Sequence, residues 1–213
     1  MTRLSWALTF VAFVISPLAQ GASAQTGQTP AARGRAQTPA PATRGRTQAA
    51  PPAPAPEVQK SPGAGPVLVI ETLKGTIQIE TYPADAPKTV EQVVGLVKRN
   101  FYNGQRVHRV EPGFVIQFGD PQSRDMTKRD RWGTGGSGRA IGVAETKRLH
   151  KLGAVAMAHA GDPARADSQM YILLRSSAAA LDGKYAVFGQ VIGGMDVVQK
   201  IAAGDVIRRV TVK

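Results

Sequence analysis

Phe101-Tyr102-Asn103-Gly104-Gln105-Arg106-Val107-His108-Arg109-Val110-Glu111-Pro112-Gly113-Phe114-Val115-Ile116-Gln117-Phe118-Gly119-Asp120 is the stretch from which the fold of this chain is read. It sets a permanent cation, Arg109, and an amide, Gln117, on either side of a rigid Pro112-Gly113 turn. Val107 and Arg109, then Phe114, Ile116 and Phe118, alternate with His108, Val115 and Gln117. Alternation with a period of two predicts strands with two unlike faces. A fixed charge thus sits beside apolar residues, and taken alone Arg109 reads first as a surface ion pair, for instance with Glu111 or Asp120.

Outward from this stretch the same period recurs. Val67 to Thr72 and Thr76 to Tyr82 read as strands joined by a short hairpin at Leu73-Lys74-Gly75. Asp85 is a plausible N-cap for a helix with Pro87 in its first turn, Val90, Val93, Val94 and Val97 on one face, and Asn100 at its end. Strands are expected at Gln105 to Val110, Val115 to Gln117, Ala154 to Ala158, Gln169 to Leu174, Val187 to Val191 and Val206 to Val212. A second helix fits Gly194 to Ala203 with Met195, Val198 and Ile201 inward. Many short strands with two helices predict a mainly β domain, a closed antiparallel eight-stranded barrel capped by the helices.

Upstream of this domain the composition changes twice. Arg3, an apolar run from Leu4 to Leu18, and Ala22-Ser23-Ala24 follow the plan of a secretory signal peptide, with cleavage expected after Ala24. The apolar run is shorter than the roughly 20 residues of a spanning helix and contains Ser16-Pro17. A periplasmic or secreted protein is the implication. Residues 25–65 are rich in Pro, Ala, Gly, Gln, Thr and Arg and lack the side chains that repay folding entropy, so a disordered tether is expected. Its Pro30-Ala-Ala-Arg-Gly-Arg-Ala-Gln37 recurs as Pro41-Ala-Thr-Arg-Gly-Arg-Thr-Gln48, which reads as low-complexity slippage or as paired cationic clamps. The 148-residue remainder, 66–213, holds 21 basic against 14 acidic side chains, a net of +7. Such a balance draws an exported protein toward anionic envelope surfaces, with the basic tether as the contact, and nucleic acid is not expected as a partner. There is no cysteine, so disulfides, thiolate metal sites and a cysteine nucleophile are excluded.

Two further features bear on chemistry. Gly133-Thr134-Gly135-Gly136-Ser137-Gly138 matches G-x-G-x-x-G, but the preceding residues 125–132 are charged and no acidic residue stands about 20 positions on, so a bending loop is predicted and no nucleotide. His108, His150 and His159 show no helical pairing and have no thiolate companions, so no metal and no cofactor are predicted.

Val107-His108-Arg109-Val110-Glu111-Pro112-Gly113-Phe114-Val115-Ile116-Gln117-Phe118-Gly119-Asp120 resembles the signature of the cyclophilin family of peptidyl-prolyl cis-trans isomerases, departing at Val107, for Phe, and at Phe118, for Gly. Met157-Ala158-His159-Ala160, Ser168-Gln169-Met170-Tyr171-Ile172 and Leu181-Asp182-Gly183-Lys184-Tyr185-Ala186-Val187-Phe188-Gly189 are similar to family segments in the same order. The resemblance covers nearly all of 66–213 and none of the tether. It implies a cyclophilin-like barrel with Arg109, Gln117 and Phe114 as catalytic residues. His108, Val115, Met157, Ala158, His159, Gln169, Tyr171, Leu181 and Tyr185 would line the substrate groove, His159 through its backbone. Tyr171 replaces the usual Phe at the floor of the proline pocket and leaves that pocket's polarity open. Ala180 stands where cyclosporin-sensitive members carry Trp, so weak binding of that drug is implied.

A fixed cation, an amide and an apolar pocket suit one reaction in particular. Rotation about the bond before proline faces a barrier of about 18–20 kcal/mol because the nitrogen shares its lone pair with the carbonyl. A donor aimed at that nitrogen localises the lone pair, and no nucleophile or proton shuttle is needed. The expected protein is a monomeric isomerase acting on proline-containing polypeptides, assisting the folding of exported proteins. A module that binds proline segments without turnover, and a basic envelope-binding protein, are the alternatives.

Overall fold

The computed structural model describes residues 65–213. The leader and, Gly65 aside, the tether lie outside the described residues. Among the described residues no helix is long and apolar enough to cross a membrane.

Eight strands form one sheet: β1 (Val67–Thr72), β2 (Gly75–Thr81), β3 (Arg109–Glu111), β4 (Val115–Phe118), β5 (Ala154–Met157), β6 (Met170–Leu173), β7 (Val187–Gly193) and β8 (Ile207–Val212). Their order is β3-β4-β6-β5-β7-β2-β1-β8, with every neighbouring pair antiparallel. The sheet curls into a half-barrel and stays open, contrary to the closed barrel expected. The reason lies at the seam. Of the expected Gln105–Val110 strand only Arg109 and Val110 pair, within the three-residue β3, while the segment before them meets the start of β8 through loop bonds: Val107 N–H to Asp205 O (2.9 Å) and Ile207 N–H to Gln105 O (2.8 Å), around a single Arg106–Val206 bridge.

Helix α1 (Pro87–Lys98) buries Val90, Val93, Leu96 and Val97 against the barrel interior. Its N-cap is Ala86 and not Asp85. The orphan N–H groups of the first turn are bound by the Glu145 carboxylate, at 3.0 Å from Lys88 N and 2.9 Å from Thr89 N, while Asp85 pairs with Arg148 at 2.5 Å. Helix α2 is only Met195–Lys200; Ile201 is already extended, though still buried. Four short 3₁₀ turns were not foreseen, at Pro121–Arg124, Met126–Arg131, Pro163–Arg165 and Ala179–Leu181.

Strand parity sorts the apolar residues into two layers. Ile116, Phe118, Val155, Met157, Met170, Ile172 and Phe188 face the barrel interior with both helices. Val115, Ala154, Ala156, Tyr171, Leu173 and Val187 form a smaller cluster on the opposite face, with Phe114, Leu181 and Tyr185 laid over it. The site is built on this second face.

Candidate functional site

A row of paired residues crosses the sheet on that face. Arg109 on β3 stands opposite Gln117 on β4, Gln117 opposite Tyr171 on β6, and Tyr171 opposite Ala156 on β5. Antiparallel pairing places such neighbours about 4.5–5.5 Å apart, so cation, amide and aromatic ring meet with no loop needed to bring them together. The turn Glu111–Phe114, closed by Phe114 N–H to Glu111 O (2.9 Å) with Gly113 at φ 69°, folds Phe114 back over the Val115 cluster. Phe114 therefore leaves the face of Ile116 and Phe118 on which alternation placed it.

The resulting groove has a volume of about 210 Å³. Arg109 and Gln117 form its polar side, Phe114, Val115 and Tyr171 its floor, and Ala158, His159, Leu181 and Tyr185 its far wall. The structure thus brings together nine of the twelve residues named from sequence. Gln169 lies one layer out, bonded to Gln117. His108 sits beneath Gly133, and neither of its ring nitrogens has a hydrogen-bond partner. Burial is the main cause that holds its pKa below the ordinary histidine value, keeping the ring neutral. Met157 is a correction: its side chain is fully buried in the barrel interior and does not reach the groove.

Polar order in the groove runs back to the glycine loop. Gln169 Nε2 donates to the carbonyls of Gly133 and Gly135, both at 2.8 Å. That leaves Gln169 Oε1 to accept from Gln117 Nε2 (2.9 Å), which in turn leaves Gln117 Oε1 to accept from Arg109 Nη1 (3.0 Å). Two backbone carbonyls thereby set the direction of every donor up to the guanidinium. The loop itself is held by fully buried Asp120, whose carboxylate accepts from the N–H groups of Gly133 (2.6 Å), Gly135 (3.1 Å) and Gln122 (2.7 Å). A Cβ at Gly135 would collide with that carboxylate, which explains the glycine there. The G-x-G-x-x-G run is a carboxylate-anchored loop.

Arg109 also donates to Glu111, from Nε at 3.0 Å and from Nη2. Both side chains are about half exposed, at 48% and 46%. A guanidinium carries five N–H groups, so two remain for a bound molecule.

Sequence reasoning missed the support behind the floor. His150, buried to 1%, bonds Asp182 Oδ1 through Nδ1 and the Tyr171 hydroxyl through Nε2, both at 2.8 Å. The carboxylate can only accept, so Nδ1 carries the N–H and donates to it, and Nε2 accepts from the phenol. Burial, with Tyr185 and Asp182 adding, pushes the Tyr171 pKa far above its ordinary value, and the hydroxyl remains a donor. The hydroxyl is engaged behind the floor, and this answers the question of polarity: the ring presents its apolar surface to the groove. Tyr171→Phe should orphan the buried His150 acceptor and cost about 1–2 kcal/mol in stability. Isomerisation should stay within a factor of about three, because the ring surface is unchanged. Chemical denaturation and a rate assay check both; a tenfold loss of rate at full folding would contradict this role.

Compared with known proteins, residues 67–213 match the family described as cyclophilin type peptidyl-prolyl cis-trans isomerase/CLD. A Helicobacter pylori protein named peptidyl-prolyl cis-trans isomerase is 39% identical over 145 residues, 66% of this chain and 83% of the relative. Peptidyl-prolyl cis-trans isomerase B of Bacillus subtilis is 38% identical over 140 residues, 64% of this chain and 90% of the relative. Among solved structures, a Cryptosporidium parvum cyclophilin type isomerase superposes with a TM-score of 0.58 at 23% identity, over 70% of this chain and 97% of that one. The same Cryptosporidium protein, crystallised in the presence of the dipeptide Ala-Pro, matches with a TM-score of 0.58 at 25% identity, over 69% and 98%.

Proposed function

The chain belongs to the cyclophilin-type peptidyl-prolyl cis-trans isomerase family, and from that premise we propose that the groove beside Arg109 binds X-Pro segments of exported polypeptides and turns the bond within it. The observation that carries the reading is the transverse row Arg109–Gln117–Tyr171, which sets a fixed cation and an oriented amide beside an apolar floor. The proline ring packs on Phe114, Val115 and Tyr171, under Leu181. Gln117 and the His159 backbone hold the flanking chain, so the acyl side rotates against a fixed ring. The free Arg109 N–H groups face the proline nitrogen as it pyramidalises.

The energies are of the right size. Shortening an exchange of tens of seconds to milliseconds requires about 10⁴-fold, or about 5.5 kcal/mol. A preorganised charged donor supplies about 3–4 kcal/mol of this. Gripping of the ring accounts for the rest.

Secretion rests on Arg3, the apolar run Leu4 to Leu18 and Ala22-Ser23-Ala24; a monomer tethered to an anionic envelope surface rests on the basic residues of 25–65. Removing the tether should leave the turnover of small peptides unchanged and weaken binding to vesicles containing anionic lipid. Rate measurements and vesicle co-sedimentation with the protein starting at Gln25 and at Pro66 check this, and a shorter chain that folds but isomerises slowly would misplace the domain boundary. One observation favours the alternative of binding without turnover: Glu111 already occupies Nε and Nη2 of Arg109. Acceleration of a proline-limited refolding reaction by catalytic amounts of the protein decides between the two.

A further inference from the structure

The segment Arg148-Leu149-His150-Lys151-Leu152 turns His150 inward to Tyr171 and leaves its leucines outward: His150 is 1% exposed, Leu149 61% and Leu152 45%. Of the five large apolar side chains that the described residues expose, these two line one depression of about 400 Å³, with Tyr82, Val187 and Gln190. Its charged lining residues are Arg148 and Lys151, both cations. Arg148 is engaged, paired with Asp85 at 2.5 Å and lying 3.7 Å over the Tyr82 ring. Lys151 is exposed, and among the described residues its ammonium has no hydrogen-bond or ion-pair partner.

The tether joins the domain beside this depression. Gly65 N–H donates to Thr81 O (2.9 Å), and a Cβ on Gly65 would collide with the Pro83 ring. The last tether residue is therefore packed against the residues on either side of Tyr82, a wall of the depression. Residues 25–64 hold a single acidic side chain, Glu57, and a single branched aliphatic one, Val58, with no aromatic. The two are neighbours. Val58 stands seven residues before Gly65, a reach of up to about 22 Å as polyproline II, and Pro62-Gly63 between them is a turn sequence.

We propose that this depression is a docking site for the chain's own Pro54-Ala55-Pro56-Glu57-Val58, a segment outside the described residues, with Val58 on Leu149 and Leu152 and Glu57 against Lys151. The match is of sign as well as of shape. The other charges of 25–64 are all cationic, so only this segment brings a carboxylate to a surface whose own charges are positive. A tether this short gives an effective concentration of millimolar order, so contacts too weak to hold a free peptide are populated within one chain. Docking there leaves the groove open and does not depend on what the groove does. Both Arg-Gly-Arg repeats lie upstream of the docked segment and stay free for an anionic surface.

The test is trypsin cleavage of the full chain at Lys60, just after the docked segment, with Arg46 as the reference bond. Cleavage of a segment that opens and closes rapidly tracks its undocked fraction. Lys60 should be cut about fivefold faster in Leu149→Ser and about threefold faster in Lys151→Glu than in the parent, the scale of one apolar contact and one surface pair. Arg46 should be cut at one rate in all three. Both substitutions are at exposed positions and leave the cleaved segment's sequence intact. In about 0.5 M salt the Lys151→Glu effect should fade while the Leu149→Ser effect persists. By NMR, the Val58 methyl groups should show contacts to those of Leu149 and Leu152 at every protein concentration. Equal cutting at Lys60 in the three proteins, or no Val58 contact with either leucine, would overturn the proposal. Contacts found only between differently labelled molecules would overturn it as well, assigning the depression to a second copy of the chain.

Discussion

Replacing Arg109 by alanine should lower isomerase turnover at least about 100-fold, the scale of losing one preorganised donor to developing charge, while the melting temperature hardly moves. The two expectations have separate causes. Catalysis loses the only cation that the described residues place in the groove, and neither Gln117 nor Tyr171 can substitute, because one is a neutral amide and the other has its hydroxyl bonded to His150. Stability loses little, since Arg109 is 48% exposed and its pair with Glu111 belongs to the class of surface ion pairs that contribute weakly. Arg109→Lys should recover only part of the rate: an ammonium keeps the charge but cannot hold Glu111, Gln117 and the substrate through one planar fork. Unchanged rates in Arg109→Ala at unchanged melting would show that the guanidinium is only a surface ion-pair partner.

Asp120→Ala should be the most damaging of these substitutions for stability, at about 2–3 kcal/mol, since it removes the buried carboxylate that accepts from three part-buried backbone N–H groups. Its effect should also reach the chemistry. Without Asp120 the carbonyls of Gly133 and Gly135 are no longer held toward Gln169, and the amide order that ends at Arg109 loses its reference. The fraction that remains folded should turn over about tenfold more slowly, the scale of a small misplacement within an organised site. Thermal unfolding and rates measured well below the transition check this. A stable Asp120→Ala protein with full activity would mean that the glycine loop positions nothing.

Strand placement was legible because one-sided strands carry a period of two; β1 falls on the predicted residues, and β2 and β4 within one residue. Parity was lost where both faces are covered. All four residues of β5 are buried, so nothing in Ala154–Met157 reveals that Ala156 underlies the groove while Met157 enters the barrel. The start of α1 was misread for a different reason: Asp85 is a plausible local cap, and the true acceptor, Glu145, stands more than fifty residues away. The same holds for Asp182, His150 and Tyr171, which come from three segments and meet only after β6 is placed. Openness of the sheet follows from three paired residues in β3, a count that strand propensity does not resolve. The groove was legible to the extent that its residues belong to the family segments; the supports behind it were not.

The central claim is that this groove turns the X-Pro bond and does not merely hold it. Its most direct measurement is two-dimensional exchange NMR of a proline tetrapeptide with a catalytic amount of the full chain, in which cis and trans signals report their own interconversion. Exchange of the bound peptide should fall from tens of seconds to milliseconds per turnover, with Arg109→Ala still binding the peptide but exchanging it at least about 100-fold more slowly. Saturable binding by the parent chain with exchange as slow as in buffer would contradict it.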